Sequence, residues 1–244
     1  MFGLGLIEAI PDDAILLNAA IQARKRQKSA SLANVSDTPY PKLNGLPTMI
    51  TDVASGKQRV GRFGWKAQQA SLLSFSGDAY VNEMGITNRF FPTENAPNGN
   101  AALLTRFDHV TDPEDTVDPA TGKSDIDFAA DFMRFLAPPP AIPLTATAQA
   151  GQILFSKTQC SGCHVPSMYT GTSRTKALNR VAVNLYSDLL LHDMGSLGDG
   201  IEQGMARGVD MKTAPLWGLR VSGPYLHDGR APTVDAAIRA HDGE

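Results

Sequence analysis

The chain has 244 residues, 42% of them hydrophobic and 19% charged, with 22 Lys and Arg against 25 Asp and Glu. That length and apolar fraction suffice for a real core in one large domain or two smaller ones. The near-neutral charge leaves no electrostatic footprint for nucleic acid, no apolar run approaches the roughly 18 residues of a membrane span, and two cysteines cannot build a disulfide framework.

Residues Met1 to Ile10 are apolar but do not read as a secretory signal. They lack a basic leading region, Glu8 interrupts the run, and no small-residue cleavage pattern follows. They read as a buried segment leading into a helix that Pro11-Asp12-Asp13 starts, with Ile15, Leu16, Ala19 and Ala20 on one face. The basic run Arg24 to Lys28 ends that helix where its dipole favours positive charge. Residues 29–60 read as loop with short strands. Gly61-Arg-Phe-Gly-Trp65 opens a more ordered stretch with short helices to about Gly85.

From Phe90 to Lys123 the chain is acidic and full of turn residues. Ser124-Asp125 predicts a capped helix carrying Ile126, Phe128, Phe132, Met133, Phe135 and Leu136, which Pro138-Pro139-Pro140 stops. This proline connector is the predicted boundary between a domain at 1–140 and one at 141–244. A further helix begins near Thr145, with Ala150, Gly151, Leu154 and Phe155 at helical spacing. A polar loop (167–180), an apolar stretch (181–191), a glycine-rich loop (195–209) and a final helix from Thr233 to His241 complete the chain. Without long alternating strands, the expected fold is mainly α with much irregular structure.

Cys160-Ser-Gly-Cys163-His164 has the spacing of c-type haem attachment. Two thioethers anchor the porphyrin, and the histidine that follows is placed under the iron as an axial ligand. A thioredoxin-like thiol pair would want a βαβ pattern, a zinc site would want further ligands, and a disulfide this short would close a loop with little entropic benefit. Candidates for the second axial ligand downstream are Met168, His192, Met194, Met205, Met211, His227 and His241. Spacing alone does not choose among them.

Several segments carry a resemblance: Phe2-Gly-Leu-Gly-Leu-Ile-Glu-Ala-Ile-Pro11, Gly61-Arg-Phe-Gly-Trp-Lys-Ala67 with Met84-Gly-Ile-Thr-Asn88, Tyr186-Ser-Asp-Leu-Leu-Leu-His-Asp-Met-Gly195, Lys212 to Arg220, and Tyr225-Leu-His-Asp-Gly-Arg-Ala231. Together they resemble the di-haem c-type oxidoreductases labelled thiol oxidoreductases, which look related to the bacterial di-haem cytochrome c peroxidases and to the di-haem enzyme that matures a tryptophylquinone. The resemblance runs over essentially the whole chain. It implies a cytochrome c-like domain from about Ala141, preceded by an incomplete, irregular helical domain. In the related peroxidases the distal Met stands fourteen residues after the His of Tyr-x-His-Asp-Gly; here that position, counted from His227, is His241.

The resemblance therefore implies a bis-histidine, low-potential haem on His164 and His241, with Met194 as the alternative distal ligand. It also implies a calcium on the carbonyls of Ser222 and Pro224. A second haem belongs to an upstream Cys-x-x-Cys-His that this chain lacks, which reads as an N-terminal truncation. Trp217 and Tyr225, with Leu216 and Phe155, are expected in the wall of the haem on His164, and Arg220 and Arg230 are candidates for the propionates of that haem; Met84 is a candidate neighbour of the first haem. The expected function is electron transfer through one haem c within a periplasmic di-haem oxidoreductase. Its partner would be a redox protein or small electron donor, without nucleic acid or a membrane span. The alternative is a peroxidase-like enzyme, or one oxidising a small donor, with an open iron position.

Overall fold

The computed structural model describes residues 2–31 and 43–241; the loop expected over 29–60 lies partly outside these residues. The chain opens with α1 (Leu4–Glu8) and α2 (Asp12–Ser31). Asp12 and Asp13 occupy the first turn of α2 and Lys28 its last, matching the helix dipole at both ends. Arg62 ties this corner together. Its guanidinium, 1% exposed, reaches the carbonyls of Ile7, Glu8 and Ile10 at the end of α1 and pairs with the Asp12 carboxylate. A cation thereby satisfies carbonyls that a helix leaves without partners.

An antiparallel hairpin follows, β1 (Met49–Asp52) and β2 (Lys57–Val60), in register Met49 to Val60. Next come α3 (Leu72–Ala79), capped by Ser71, and α4 (Ala101–Phe107), capped by Asn100. The predicted helix from Ser124 is α5 (Asp125–Phe135). The Ser124 backbone N–H donates to the Asp127 carboxylate at 2.9 Å, and Asp115 accepts from the N–H groups of Asp125 and Ile126. Ile126, Ala130 and Met133 face inward, while Phe128, Phe132 and Phe135 are exposed. α1 crosses α5 closely, because a Cβ on Gly5 would stand 1.9 Å from the Arg134 carbonyl oxygen.

The second half holds α6 (Ala146–Lys157), capped by Thr145, and α7 (Val234–Arg239), capped by Thr233. Between them lie two small antiparallel sheets: β3 (Met168–Tyr169) with β4 (Ala182–Val183), and β5 (Leu191–Asp193) with β6 (Asp210–Lys212). β5 is flanked on its other side by Leu46, which exchanges both backbone hydrogen bonds with Leu191.

The mainly α, cytochrome c-like expectation is corrected here. The described residues are 38% helix and 13% strand, with the strands in small sheets. Neither α6 nor α7 buries a residue, so they do not pack as the framework of a helical domain. The main core is built instead from Ile7, Ile10, Ile15, Val60, Phe63, Leu72, Ala130 and Met133 together with Met168, Val183, Leu185, Leu189 and Leu190. It draws on residues from both sides of the proline connector. Strands of two to four residues have too short a period to register as alternation in sequence.

Candidate functional site

The cysteine segment is shaped by the end of α6. Thr158 closes the helix, with its backbone N–H and hydroxyl both donating to the Leu154 carbonyl at 2.8 Å. Gln159 then takes a left-handed conformation (φ +66°) that turns the chain into a single 3₁₀ turn, Cys160–Gly162. The His164 N–H donates to the Cys160 carbonyl at 2.9 Å, so both cysteines and the histidine lie within one compact loop. No disulfide joins Cys160 and Cys163.

The segment 163–166 runs against 186–188. Asp188 N–H donates to the Cys163 carbonyl at 2.9 Å and Ser187 N–H to Val165 at 3.0 Å. Tyr186 adopts φ +51°, an uncommon conformation for a side chain of its size, and its carbonyl lies 2.8 Å from His164 Nδ1. Burial disfavours the charged form of His164, and the nearby His241 and His192 push the same way; the Tyr186 carbonyl and Asp188 oppose without prevailing. The ring is therefore held neutral, with Nδ1 donating to Tyr186 and the lone pair on Nε2. Phe155 stands 6.4 Å from the His164 ring and meets Tyr186 edge-on at 5.7 Å.

His241 lies just beyond α7, where Nδ1 meets the Ala237 carbonyl at 2.7 Å. His192 is engaged at both ring nitrogens: Nδ1 lies 3.5 Å from Cys163 Sγ and Nε2 2.8 Å from Asp188 Oδ2. Met194 follows β5 and is held through its backbone to Val209. Met168 and Met211 are buried in the protein interior, Met205 is exposed on a loop, and His227 packs edge-on against Trp65 at 6.0 Å.

Trp217 packs on the main core beside Gly3, where an added Cβ would lie 2.7 Å from the indole. The Tyr225 hydroxyl donates to the Leu219 carbonyl at 2.7 Å. Arg230 is engaged by Asp228 and the Ser196 carbonyl, whereas Arg220, Ser222, Pro224 and Met84 are exposed.

The fold also brings in residues that spacing did not single out. Gln22, from α2, donates to Asp188 Oδ2 at 2.7 Å and to the Gly162 carbonyl at 3.1 Å. Burial pushes the Lys212 ammonium down to about 8, partly offset by Asp188. The signal available beforehand was the pair of polar residues Asp188 and His192 enclosing three leucines.

The donor set suits a covalently attached haem. Two unjoined thiols lie within one loop, and a neutral imidazole is oriented by a backbone carbonyl. The helix that leads into the loop leaves Leu154 58% exposed, and α7 leaves Ile238 64% exposed. Across residues 1–244 the chain matches the family model described as "Di-haem oxidoreductase, putative peroxidase". No curated protein and no solved structure matches it.

Proposed function

The chain belongs to the di-haem oxidoreductase family, and on that premise we propose that it carries one haem c on Cys160 and Cys163 and passes single electrons through it. The observation that carries this reading is His164, held neutral with Nδ1 on the Tyr186 carbonyl inside the two-cysteine loop. When bound, the haem supplies a one-electron redox couple.

The chain's own residues hold and enclose that group. Cys160 and Cys163 anchor it, and His164 offers Nε2 as the proximal ligand. His241 is the favoured distal ligand: its Nδ1 is occupied by Ala237, which leaves Nε2 to ligate. Met194 is the alternative. Leu154, Phe155 and Ile238 supply apolar surface that excludes water, and Trp217 and Tyr225 complete the wall in this reading. Calcium on the Ser222 and Pro224 carbonyls, a second haem, a periplasmic location and a redox protein or small electron donor as partner belong to the same reading. No described helix is long and apolar enough to cross a membrane.

A second reading, reduction of peroxide or oxidation of a small donor at an open iron position, is favoured by the exposure of His241 and by the family's description. Haem staining of the protein on a denaturing gel tests the attachment, and an unstained band overturns it. A low-spin ferric spectrum without a Met–iron charge-transfer band supports the bis-histidine form; high-spin ferric iron supports the open site.

A further inference from the structure

The two cysteines of the attachment loop are held very differently. Cys160 Sγ has the Thr158 hydroxyl at 3.4 Å in exposed surroundings. Cys163 Sγ meets the end of a buried chain of side chains: His192 Nδ1 at 3.5 Å, Asp188 Oδ2 at 2.8 Å from the other ring nitrogen, and Gln22 Nε2 at 2.7 Å from that same carboxylate oxygen. His192, Asp188 and Gln22 are 2%, 0% and 3% exposed.

The chain is further locked by Gly45, whose N–H donates to Gln22 Oε1 at 2.7 Å. A Cβ at Gly45 would stand 2.4 Å from Gln22 Oε1 and 2.9 Å from His192 Cε1. The fold thus invests four residues, from α2, the segment before β1, and the stretch into β5, in fixing one imidazole against one sulfur. Cys163, Asp188 and His192 do place three donors within 4.8 Å of one another. As held, however, the two nitrogens of His192 address different partners, which is the geometry of an oriented imidazole rather than of a cage around a single ion.

We propose that His192, oriented by Asp188 and Gln22, is the positioning residue for the thioether at Cys163: it holds that sulfur where it meets a haem vinyl group, while Cys160 attaches without such help. The inference rests on the haem c reading. In the step itself the Cys163 S–H bond breaks, sulfur bonds to the inner vinyl carbon, and the hydrogen goes to the outer carbon as the C=C double bond is consumed. The addition is redox-neutral and uses no co-reactant.

The test is linkage at each cysteine, read by peptide mass spectrometry and by the α-band position of the alkaline pyridine haemochrome, which reports unreacted vinyl groups. The full 244-residue chain would be made in a host that attaches c-type haem. His192→Gln keeps a polar group toward Asp188 but removes the one at Nδ1; His192→Asn does the reverse, placing its amide near the Nδ1 position. In His192→Gln the doubly linked fraction is expected to fall roughly tenfold, the factor one lost hydrogen bond supplies, with haem retained on Cys160 and a band matching that of Cys163→Ala. His192→Asn is expected to restore double linkage. In a Cys160→Ala background, where Cys163 is the attachment point that remains, His192→Gln is expected to lower covalent haem by the same roughly tenfold factor.

Full double linkage in His192→Gln overturns the proposal. So does equal loss at both cysteines, or failure of His192→Asn to restore it, because either result marks a general structural role. Wild-type protein without covalent haem overturns the haem reading, and this inference with it.

Discussion

At the scale of single residues, the site turns on which nitrogen each histidine commits. His164 gives Nδ1 to the Tyr186 carbonyl and His241 gives Nδ1 to Ala237, so in both the remaining nitrogen is the one suited to iron. His192 commits both nitrogens, to Cys163 and to Asp188, and so is placed for orientation rather than ligation. A bis-histidine haem sits at low potential and a His/Met haem at a higher one. Replacing His241 with Met is therefore expected to raise the reduction potential, within the roughly 0.8 V that axial ligands span, as read by spectroelectrochemical titration. An unchanged potential would exclude His241 as the ligand. Cys160, Cys163 and His164 stood out in the sequence by spacing alone, the spacing that covalent haem attachment would demand. The tie between Asp188 and Gln22 did not, because nothing local marks a carboxylate and an amide that meet across 166 positions of the chain.

At the scale of elements, two contacts decide how the N-terminal helices sit. Asp12 binds Arg59 and the buried Arg62, and those partners hold its carboxyl below the usual carboxylate value despite the opposing effect of burial. Its stabilisation is present above the free-carboxylate value of 3.8 and is lost as the pH falls through the lower folded value. Asp12→Asn leaves Arg62 buried without its ion-pair partner, at a cost of about 3 kcal/mol at neutral pH. The expected measurement is a lower denaturation midpoint at pH 7, with a difference from wild type that narrows in acid.

Gly5 is the second contact. A methyl group there meets the Arg134 carbonyl oxygen of α5, so Gly5→Ala is expected to cost about 1–3 kcal/mol by forcing the helices apart, measured by denaturant titration. The starts of α5, α6 and α7 were all visible as Ser124, Thr145 and Thr233, because a cap is a local hydrogen bond. The two-residue and three-residue strands were not visible, because pairing such as His192 with Met211 is stabilised by distant partners and not by any pattern within the strand.

At the scale of the whole molecule, one core joins the two halves. Leu185, Leu189 and Leu190 pack in the same cluster as Ile7, Ile10, Phe63 and Met133. Lys66 adds a polar tie, with its ammonium on Asp199 at 2.7 Å and on the Asp210 carbonyl at 2.6 Å. Residues 141–244 produced alone would expose this leucine surface, and α6 and α7 bury nothing of their own to replace it. That piece is expected to lack a cooperative urea transition by circular dichroism, whereas the full chain shows one; a sharp transition in the piece would show that its half carries a sufficient core.

The sequence by itself determined what short-range chemistry encodes: the two-cysteine loop with its histidine, the capped helix starts, the proline break and the scattered segments that carry the family. Each depends on neighbours within a few residues. Only the tertiary structure decided that the halves share a core, that the strands form small sheets in place of a mainly helical domain, and that Gln22, Asp188 and His192 converge on Cys163. Those outcomes depend on apolar burial and hydrogen bonds between residues far apart in the chain, whose gain appears only when the intervening loops close.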